Sequence, residues 1–219
     1  MRLPGRRRSG HELPGLEPVS REFGFDRGKP VDRWYIERFL EEHRADVRGA
    51  VLEVAEDTYT TWYGDGEVTR SDVLHRTGTS ASTVVGNLAT GEGLPVATYD
   101  CFICTQTLPF IYDVHAAVRG MARVLRPNGV LLATVPGMSQ VSREDRRDWG
   151  DWWRFTSQGT RRLFEEAFES VEVQARGNVL SAAAFLYAYA AEDLTESELD
   201  HHDPDYELLI TARATCRKP

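Results

Sequence analysis

The segment SREDRRDWGDWWRFT, residues 142–156, has the densest supply of side chains that could do chemistry. It holds three of the five tryptophans of the chain, together with several arginines and aspartates. Aromatic faces beside carboxylates and guanidinium groups suit a sugar ring or an aromatic glycoside. The alternative is a wall of core tryptophans with ion pairs around it. The pattern predicts a substrate-binding surface made of Trp149, Trp152, Trp153, Arg143 and Arg154.

Four side chains could act as a general base. His75, Asp145 and Asp151 are the preferred catalytic candidates, and His75 is the first choice because it follows an acidic residue in a predicted loop. His115 lies in a helical pattern, where a surface position is the simpler interpretation. A single histidine is more often structural than catalytic, so a structural role for His75 stays open.

The stretch VLEVAEDTYTTWYG, residues 51–64, begins like a strand that leads into a nucleotide-binding turn. Such turns use glycine so that the backbone can approach a ligand at a helix N-terminus. Here the first glycine is Gly64. Only 17 positions separate Ala55 from Asp72, and a crossover with its helix needs about a dozen residues. The spacing predicts a short helix of about two turns within residues 57–63.

Apolar periodicity indicates the fold class. Residues 113–125 follow the i, i+3, i+4, i+7 rule, and an amphipathic helix is also predicted from Pro30 towards Gly49. Strand, helix and strand in alternation favour a doubly wound, mostly parallel α/β sheet of seven strands with helices on both faces. The candidate strands are residues 51–54, 67–69, 83–85, 101–104, 130–135, 171–175 and 208–212.

The domain organisation follows from composition. Residues 1–29 are rich in glycine and proline and are predicted to be an N-terminal tail and approach loop. Residues 30–219 are predicted to form a single α/β domain. Within it, 138–157 and 177–205 are interpreted as insertions that cap the substrate side. The apolar stretch 177–194 is predicted to be one helix, which either roofs the pocket or provides a homodimer face through 179–191.

The charge and the cysteine count narrow the partners. The formal net charge of −8 disfavours nucleic acid and anionic membrane surfaces. The one basic cluster, Arg2, Arg6, Arg7 and Arg8, is interpreted as a solvated tail rather than a binding arm. No apolar run is long enough for a membrane span or a secretory signal, so we expect a cytoplasmic protein.

Metal and disulfide chemistry are both disfavoured. Cys101 and Cys104 lie three positions apart on a predicted strand and should face opposite sides of the sheet. The block DHHDPDY, residues 200–206, is favoured as a polar loop because adjacent histidines rarely converge on one ion. We therefore expect no metal site.

A family resemblance joins these features. The succession VLEV, SDVLH, VVGNL and YDCFICTQTL, followed by a helix and RVLRPNGVLLATVPG, resembles the class I methyltransferases that use S-adenosylmethionine. The resemblance covers about residues 30–175 and is most specific over residues 99–137. The block containing WRFT is also similar to a segment of sugar and natural-product methyltransferases. The first motif departs from the family because Ala55, Asp57 and Tyr59 stand at its glycine positions, where a positive φ would be strained.

The resemblance implies roles for individual residues. Glu53 matches the acidic residue of the first strand, and Asp72 matches the carboxylate that holds the ribose hydroxyls. Asn87 matches the position that meets the adenine amino group, and Leu88 would cover the ring. Capping or ion pairing is the alternative for Glu53 and Asp72. The full set implied for cofactor binding is Glu53, Ala55, Asp57, Thr58, Tyr59, Asp72, Asn87, Leu88, Thr105 and Gln106.

The function implied is methyl transfer from S-adenosylmethionine, with S-adenosylhomocysteine as product, to a small polar acceptor. We expect the acceptor to be a hydroxyl of a sugar or secondary metabolite. One alternative is the same fold used for elimination, cyclisation or isomerisation. Another is a non-catalytic partner subunit, which a pocket filled by Tyr59, Trp62 or Tyr63 would support.

Overall fold

A computed structural model describes residues 15–79 and 83–217 of the chain, so the basic cluster at Arg2 and 6–8 lies outside the described residues. The described part contains the following helices and strands in chain order: α1 Val31–Glu42, β1 Gly49–Val54, α2 Thr58–Tyr63, β2 Val68–His75, β3 Val84–Val85, β4 Tyr99–Thr105, α3 Val114–Val124, β5 Leu125–Pro136, α4 Arg143–Asp148, α5 Ser157–Phe164, β6 Ser170–Arg176, α6 Val179–Leu186, α7 Glu196–Asp200 and β7 Leu209–Thr215.

The strands form one sheet in the order β3-β2-β1-β4-β5-β7-β6. The first five pair in parallel, and β7 runs antiparallel between β5 and β6. The strand order reverses between β1 and β4, which places a crevice at the carboxyl ends of the strands there. The predicted seven-stranded, mostly parallel α/β sheet is confirmed.

Apolar side chains cover both faces of the sheet. One core cluster contains Leu52, Phe102 and Met121, and the other contains Ile36, Phe39 and Ile103. Parallel strands enclosed in this way carry continuous apolar runs, as the sequence does in β4 and β5. The two cysteines of β4 belong to different clusters, Cys104 to the first and Cys101 to the second, so the prediction of opposite faces is confirmed.

The first helix is shorter than predicted. It ends at Glu42, and a 3₁₀ turn over Arg44–Asp46 leads to β1. Gly49, the predicted stop, lies beyond this turn and has a φ of +67°, in the left-handed region. A Cβ there would lie 2.3 Å from Oδ2 of Asp100, the oxygen that accepts the Ala50 N–H. Glycine therefore allows the chain to pass close to Asp100 as it enters β1.

The segment 177–194 is not one helix, which corrects that prediction. Helix α6 ends at Leu186, and Ala188 has a φ of +58° that breaks the helical path. A 3₁₀ turn over Ala191–Asp193 and the short α7 follow. Val179, Leu180 and Leu186 remain exposed on α6, and their role as a dimer face stays a prediction.

Residues 15–29 pack against this same region. The Val19 N–H donates to Tyr187 O, and the Ala191 N–H donates to Lys29 O. The rings of Phe23 and Phe185 lie with centroids 6.1 Å apart. The described part of the predicted tail is therefore a strap that runs beside α6 and approaches the ligand edge of the sheet.

The described residues contain no helix that is long and apolar enough to cross a membrane. No group of three or more His, Cys, Asp or Glu side chains in this part of the chain is arranged to hold a metal ion.

Candidate functional site

A cleft of roughly 1020 Å³ opens at the carboxyl ends of the parallel strands. The residues at or just after five strand ends all line it: Ala55, His75, Asn87, Gln106 and Pro136. Their convergence follows from topology, because parallel strands deliver their ends to one edge. The cleft is the place where the fold brings together the polar residues that the sequence singled out.

The turn after β1 has the backbone shape of a glycine turn at one position. Ala55 has a φ of +72°, which costs an L-residue about 1–2 kcal/mol. Its N–H donates to Leu74 O at 3.0 Å and continues the β1–β2 ladder for one more residue. Asp57 precedes α2 with a φ of −114°, and Tyr59 lies within the helix. Of the three predicted glycine positions, only Ala55 therefore takes the strained conformation.

Glu53 fixes the short helix to the sheet. Its carboxylate accepts the N–H of Tyr59 at 3.1 Å, and the N–H and hydroxyl of Thr60 at 2.7 Å each. An acidic group is stabilised there because the first N–H groups of a helix lack partners within the helix. Burial nevertheless raises the pKa of Glu53 to about 7. This residue performs the capping role that was the alternative to cofactor contact, and it also lines the cleft.

Helix α2 contributes one side of the cleft through a single tyrosine. Tyr59 lines the cleft, and its hydroxyl accepts a hydrogen bond from Nη1 of Arg33 at 3.1 Å. Tyr59 and Tyr63 belong to the core cluster beneath α1, while Trp62 is 56% exposed. The cleft is therefore not filled by these aromatic side chains. Neither Asp57 nor Thr58 lines it.

Asp72 lies away from the cleft, contrary to its predicted place. It pairs with Leu52 in the middle of β1, three residues before the end of β2. Its carboxylate accepts the Tyr99 hydroxyl at 2.8 Å and forms an ion pair with Arg70 at 2.7 Å. The predicted position was displaced because β2 continues through Leu74 and His75, so the strand ends on a histidine.

The loop after β3 presents Asn87 and Leu88 to the cleft. Oδ1 of Asn87 accepts the N–H groups of Ala89 at 2.9 Å and Thr90 at 3.3 Å. This arrangement is an Asx turn, which fixes the loop locally. The side chain was expected to offer its oxygen to a ligand, but the local turn uses that oxygen and leaves the amide nitrogen. Leu88 is buried at 5% exposure.

The end of β4 meets the start of α1 at the floor of the cleft. Nε2 of Gln106 donates to Oδ2 of Asp32 at 3.3 Å. Oε1 of Gln106 is buried and has no hydrogen-bond partner among residues 15–79 and 83–217, and the residue has a φ of +49°. Strain and an unsatisfied polar atom together are features that cluster at functional sites. Thr105 lies beside them, and its carbonyl accepts the Thr107 hydroxyl at 3.0 Å.

Asp32 is a buried residue of the cleft that the sequence analysis did not identify. It is 9% exposed, and none of the ion pairs among the described residues involves it. Burial raises the pKa of its carboxyl, although the neighbouring Arg33 opposes that rise. The signal was present, because Asp32 occupies the same helical stripe as Tyr35, Ile36 and Phe39. A carboxylate on an apolar stripe is rarely buried without a reason.

The segment 142–154 is held together by its own polar groups. Nη1 of Arg154 contacts Oδ1 of Asp151 at 2.5 Å, and the Ser142 N–H donates to Oδ2 of Asp151 at 2.9 Å. The guanidinium also donates to the carbonyls of Ser139 and Gln140. The Asp151 side chain is only 2% exposed. Although both side chains line the cleft, Asp151 and Arg154 already have partners within the loop.

Asp145 is engaged in the same way. Its Oδ2 accepts a hydrogen bond from the Ser142 hydroxyl at 2.7 Å. Its backbone N–H donates to Oγ of Ser142 at the start of α4. Arg143 lines the cleft from the same helix. His115 lies on the surface, where it pairs with Glu166 at 2.9 Å. The side chains of Asp145, Asp151 and Arg154 therefore serve mainly to hold the segment 142–154 together.

The tryptophans have three separate environments. Trp149 follows α4 and lines the cleft beside the end of β2, with its ring centroid 6.0 Å from that of His75. Trp152 lines the cleft and contacts Tyr112 at 5.3 Å between ring centroids. Trp153 does not line the cleft and donates through Nε1 to Tyr112 O at 3.2 Å. Tyr112 and Trp152 are more than half exposed and form an aromatic rim.

The structure thus brings most of the predicted site residues to one cavity. Those that line the cleft are Glu53, Ala55, Tyr59, His75, Asn87, Leu88, Thr105, Gln106, Arg143, Asp145, Trp149, Asp151, Trp152 and Arg154. Those that do not are Asp57, Thr58, Asp72 and Trp153. The strap and α1 add residues that were not predicted, among them Phe23, Phe25, Asp32 and Arg33.

Comparison with known proteins agrees with this architecture. Residues 43–133 match the sequence model of a family described as "Methyltransferase domain". None of the curated proteins searched matches the chain.

Several solved structures are similar. A putative sarcosine dimethylglycine methyltransferase from Galdieria sulphuraria is 14% identical, with 86% of this chain and 90% of that chain covered and a TM-score of 0.57. N-methyltransferase NodS from Bradyrhizobium japonicum WM9, in complex with S-adenosylhomocysteine, is 15% identical over 86% and 88%, with a TM-score of 0.53. The CurJ carbon methyltransferase is 12% identical over 90% and 57%, with a TM-score of 0.56.

The matched family, the sheet order and the strand-end cleft agree with one another. Residues 43–133 therefore resemble a methyltransferase domain, and the chain has the fold of these similar methyltransferase structures.

Proposed function

We propose that the chain transfers the methyl group of S-adenosylmethionine to a hydroxyl group of a small polar acceptor, a sugar or a secondary metabolite. The observation that carries this proposal is the pair formed by Asp32 and Gln106 at the floor of the strand-end cleft. A buried carboxylate without an ion-pair partner and a buried amide oxygen without a donor are both ready for a ligand.

The cleft also fits the cofactor. Ala55 takes the left-handed conformation that lets the backbone of the turn face the cavity. The unpartnered Oε1 of Gln106 can accept a hydrogen bond from an ammonium or hydroxyl group. Asn87 and Leu88 offer a polar and an apolar contact on the β3 side. One similar structure holds S-adenosylhomocysteine, the product that this proposal implies.

In this proposal the cofactor supplies an electrophilic methyl group, and the protein contributes position and a base. Asp32 accepts the proton of the acceptor hydroxyl, and Gln106 holds the carboxylate in place through its amide N–H. The raised pKa of Asp32 makes it a better proton acceptor than an ordinary aspartate once it is ionised. Holding the reactants in line supplies much of the rate enhancement.

The rim supports a ring-shaped acceptor. Tyr112 and Trp152 expose their faces at the mouth of the cleft, and Phe25 of the strap is exposed on the same cavity. Aromatic faces bind the apolar face of a sugar or a planar ring. Arg143 remains a proposed polar contact to the acceptor. Arg154, Asp145 and Asp151 support this surface from behind through their own contacts.

A second candidate uses the same cleft for a reaction other than methylation. The observation that favours it is the burial of Asp72 in the strand, which leaves no carboxylate at the end of β2. In that case S-adenosylhomocysteine would bind weakly or not at all. A purely non-catalytic subunit is less well supported, since the cleft is open rather than filled by Tyr59, Trp62 or Tyr63.

The test is a methyl-transfer assay with methyl-labelled S-adenosylmethionine and a panel of sugars, phenolic glycosides and amines. The proposal expects label on hydroxyl acceptors, and a loss of about 10²-fold or more in kcat/KM for Asp32→Asn. Label on amines alone would overturn the hydroxyl assignment. Turnover that is unchanged in Asp32→Asn would remove Asp32 from the mechanism.

A further inference from the structure

The end of β2 differs from the pattern expected for a nucleoside-binding sheet. In such sheets an acidic side chain at this position accepts hydrogen bonds from ribose hydroxyls. Here Leu74 is level with Val54, and the Ala55 N–H donates to Leu74 O, so His75 is the strand-end residue beside the first turn. His75 lines the cleft and Asp72 does not. The strand-end position therefore carries an imidazole.

The local hydrogen bonds of His75 assign its tautomer. Nδ1 lies 2.6 Å from Thr77 O, and a carbonyl can only accept, so Nδ1 carries the proton. The Thr77 N–H and hydroxyl lie farther from the same nitrogen, at 3.3 Å each. The neutral ring consequently presents the lone pair of Nε2 as an acceptor. A hydroxyl group is a suitable donor for it.

Trp149 extends this position into a two-sided site. It follows α4, where its N–H donates to Asp145 O at 2.7 Å. Its ring meets His75 edge to face at 75°, and the guanidinium of Arg76 lies 5.8 Å from its centroid. The segment 142–154 therefore places an indole ring beside the end of β2.

We propose that His75 and Trp149 form the nucleoside receptor of the cleft. The Nε2 atom of His75 accepts a hydrogen bond from a ribose hydroxyl, and the purine packs against the indole of Trp149. Arg76, which also lines the cleft, contacts the same indole through a cation–π interaction and restrains its orientation. This inference rests on the proposed function, because S-adenosylmethionine contains the adenosine that the receptor would bind.

The receptor differs from a carboxylate in a measurable way. A carboxylate accepts two hydrogen bonds from a ribose diol, whereas neutral His75 accepts one. Stacking on an aromatic side chain contributes about 1–3 kcal/mol per base, which corresponds to roughly 5- to 150-fold in affinity. Binding should therefore depend strongly on Trp149. It should also change the fluorescence of this tryptophan, since the ligand replaces water at its ring.

The experiment is a fluorescence and calorimetric titration of the full chain with S-adenosylhomocysteine and, separately, with adenosine. We expect both ligands to change the tryptophan emission of the wild type saturably. Trp149→Leu should remove most of this change and weaken binding about tenfold in calorimetry, because leucine has no aromatic face on which a purine can stack. Trp62→Leu, which alters an exposed tryptophan outside the cleft, should keep both the signal and the affinity.

A second pair of variants tests His75. His75→Ala should weaken S-adenosylhomocysteine binding about fivefold to tenfold through the lost acceptor, and His75→Asn should restore part of it. The melting temperature of each variant shows whether it is folded. If the wild type binds and both Trp149→Leu and His75→Ala bind equally well, the receptor is overturned while the proposed function stands. If the wild type binds neither ligand, the proposed function itself fails.

Discussion

Two segments border the cleft and differ in how their polar groups are satisfied. In the segment 142–154, Asp145, Asp151 and Arg154 all have close partners within or beside the same loop. In the segment 20–33, which the sequence indicated as mostly tail, Asp32 lies in the cleft and accepts one long hydrogen bond from another side chain, Gln106, and it forms no ion pair in the described part of the chain. The segment 142–154 contains more side chains of catalytic types. The segment 20–33 contains the carboxyl group, that of Asp32, with fewer partners.

The difference shows that residue type alone is a poor guide to availability. Buried polar groups are normally paired, so an unpaired one needs an explanation, while a paired one already has a structural role. Asp151 satisfies Arg154 and the Ser142 N–H, whereas Asp32 and the Oε1 atom of Gln106 retain capacity for a ligand. Substitutions in the two segments should therefore change stability in opposite directions.

The largest effect is expected from Asp151→Asn. The substitution places an amide against the guanidinium of Arg154 and the Ser142 N–H, so donors face donors in a site where the carboxylate is 2% exposed. We expect a loss of about 3 kcal/mol in the free energy of unfolding, measured by urea denaturation. The control is Asp148→Asn at the end of α4 in the same segment, whose partner Arg147 is exposed. Equal midpoints for the two variants would break the comparison.

Glu53 gives an effect of similar size that depends on pH. Burial raises the pKa of its carboxyl to about 7, well above the usual range of a glutamate. The protonated carboxyl of Glu53 stabilises the fold. This contribution is complete at a pH below the pKa of the unfolded chain and is lost as pH rises through the pKa of the folded protein. The free energy of unfolding should fall by about 3 kcal/mol relative to Glu53→Gln between pH of about 4.5 and 8. Parallel stability curves would contradict this shift.

Asp32→Asn is the counterpart of the Asp151 variant with the opposite sign. Burial raises the pKa of Asp32, so the ionised carboxylate is unfavourable to the fold near neutral pH. The amide should raise the free energy of unfolding by about 1 kcal/mol while activity falls. Thermal denaturation at neutral pH measures it, with Asp151→Asn as the matched control. A loss of stability in both variants would mean that Asp32 is a structural group like Asp151.

The smallest effect is expected at the turn after β1. Ala55→Gly relieves a φ of +72° but gives the unfolded chain more freedom, so a gain of about 0.5 kcal/mol remains. The same substitution at Ala122, within α3, should cost about 1 kcal/mol. Urea denaturation of both variants gives the comparison, and a loss at Ala55 as large as that at Ala122 would argue against strain in the turn.

The sequence predicted the fold well because periodicity and strand alternation act locally. The sheet class, the short α2 and the opposite faces of Cys101 and Cys104 all follow from spacing within one element or between neighbours. The sequence could not predict the register of β2 against β1, which moves Asp72 away from the cleft and brings His75 to its edge. Strand register depends on packing between strands, which a comparison of residue types does not capture. The strand-end position expected for Asp72 is therefore occupied by His75, three residues later.

The site was predictable to the extent that strand ends determine it. Ala55, Asn87 and Gln106 line the cleft because topology places them there. Asp32 was missed because its partner, Gln106, is 74 residues away in the chain. The sequence also did not predict that Asp145 and Asp151 form hydrogen bonds within their own segment. Such local hydrogen bonds compete with ligand binding, and the residue types alone do not reveal them.

The central claim is that this cleft binds S-adenosylmethionine despite its turn without glycine. Isothermal titration calorimetry of the full chain with S-adenosylhomocysteine tests it most directly. We expect saturable binding of one ligand per chain, weakened by Trp149→Leu and retained in Trp62→Leu. No heat of binding at millimolar concentrations of protein and ligand would contradict it.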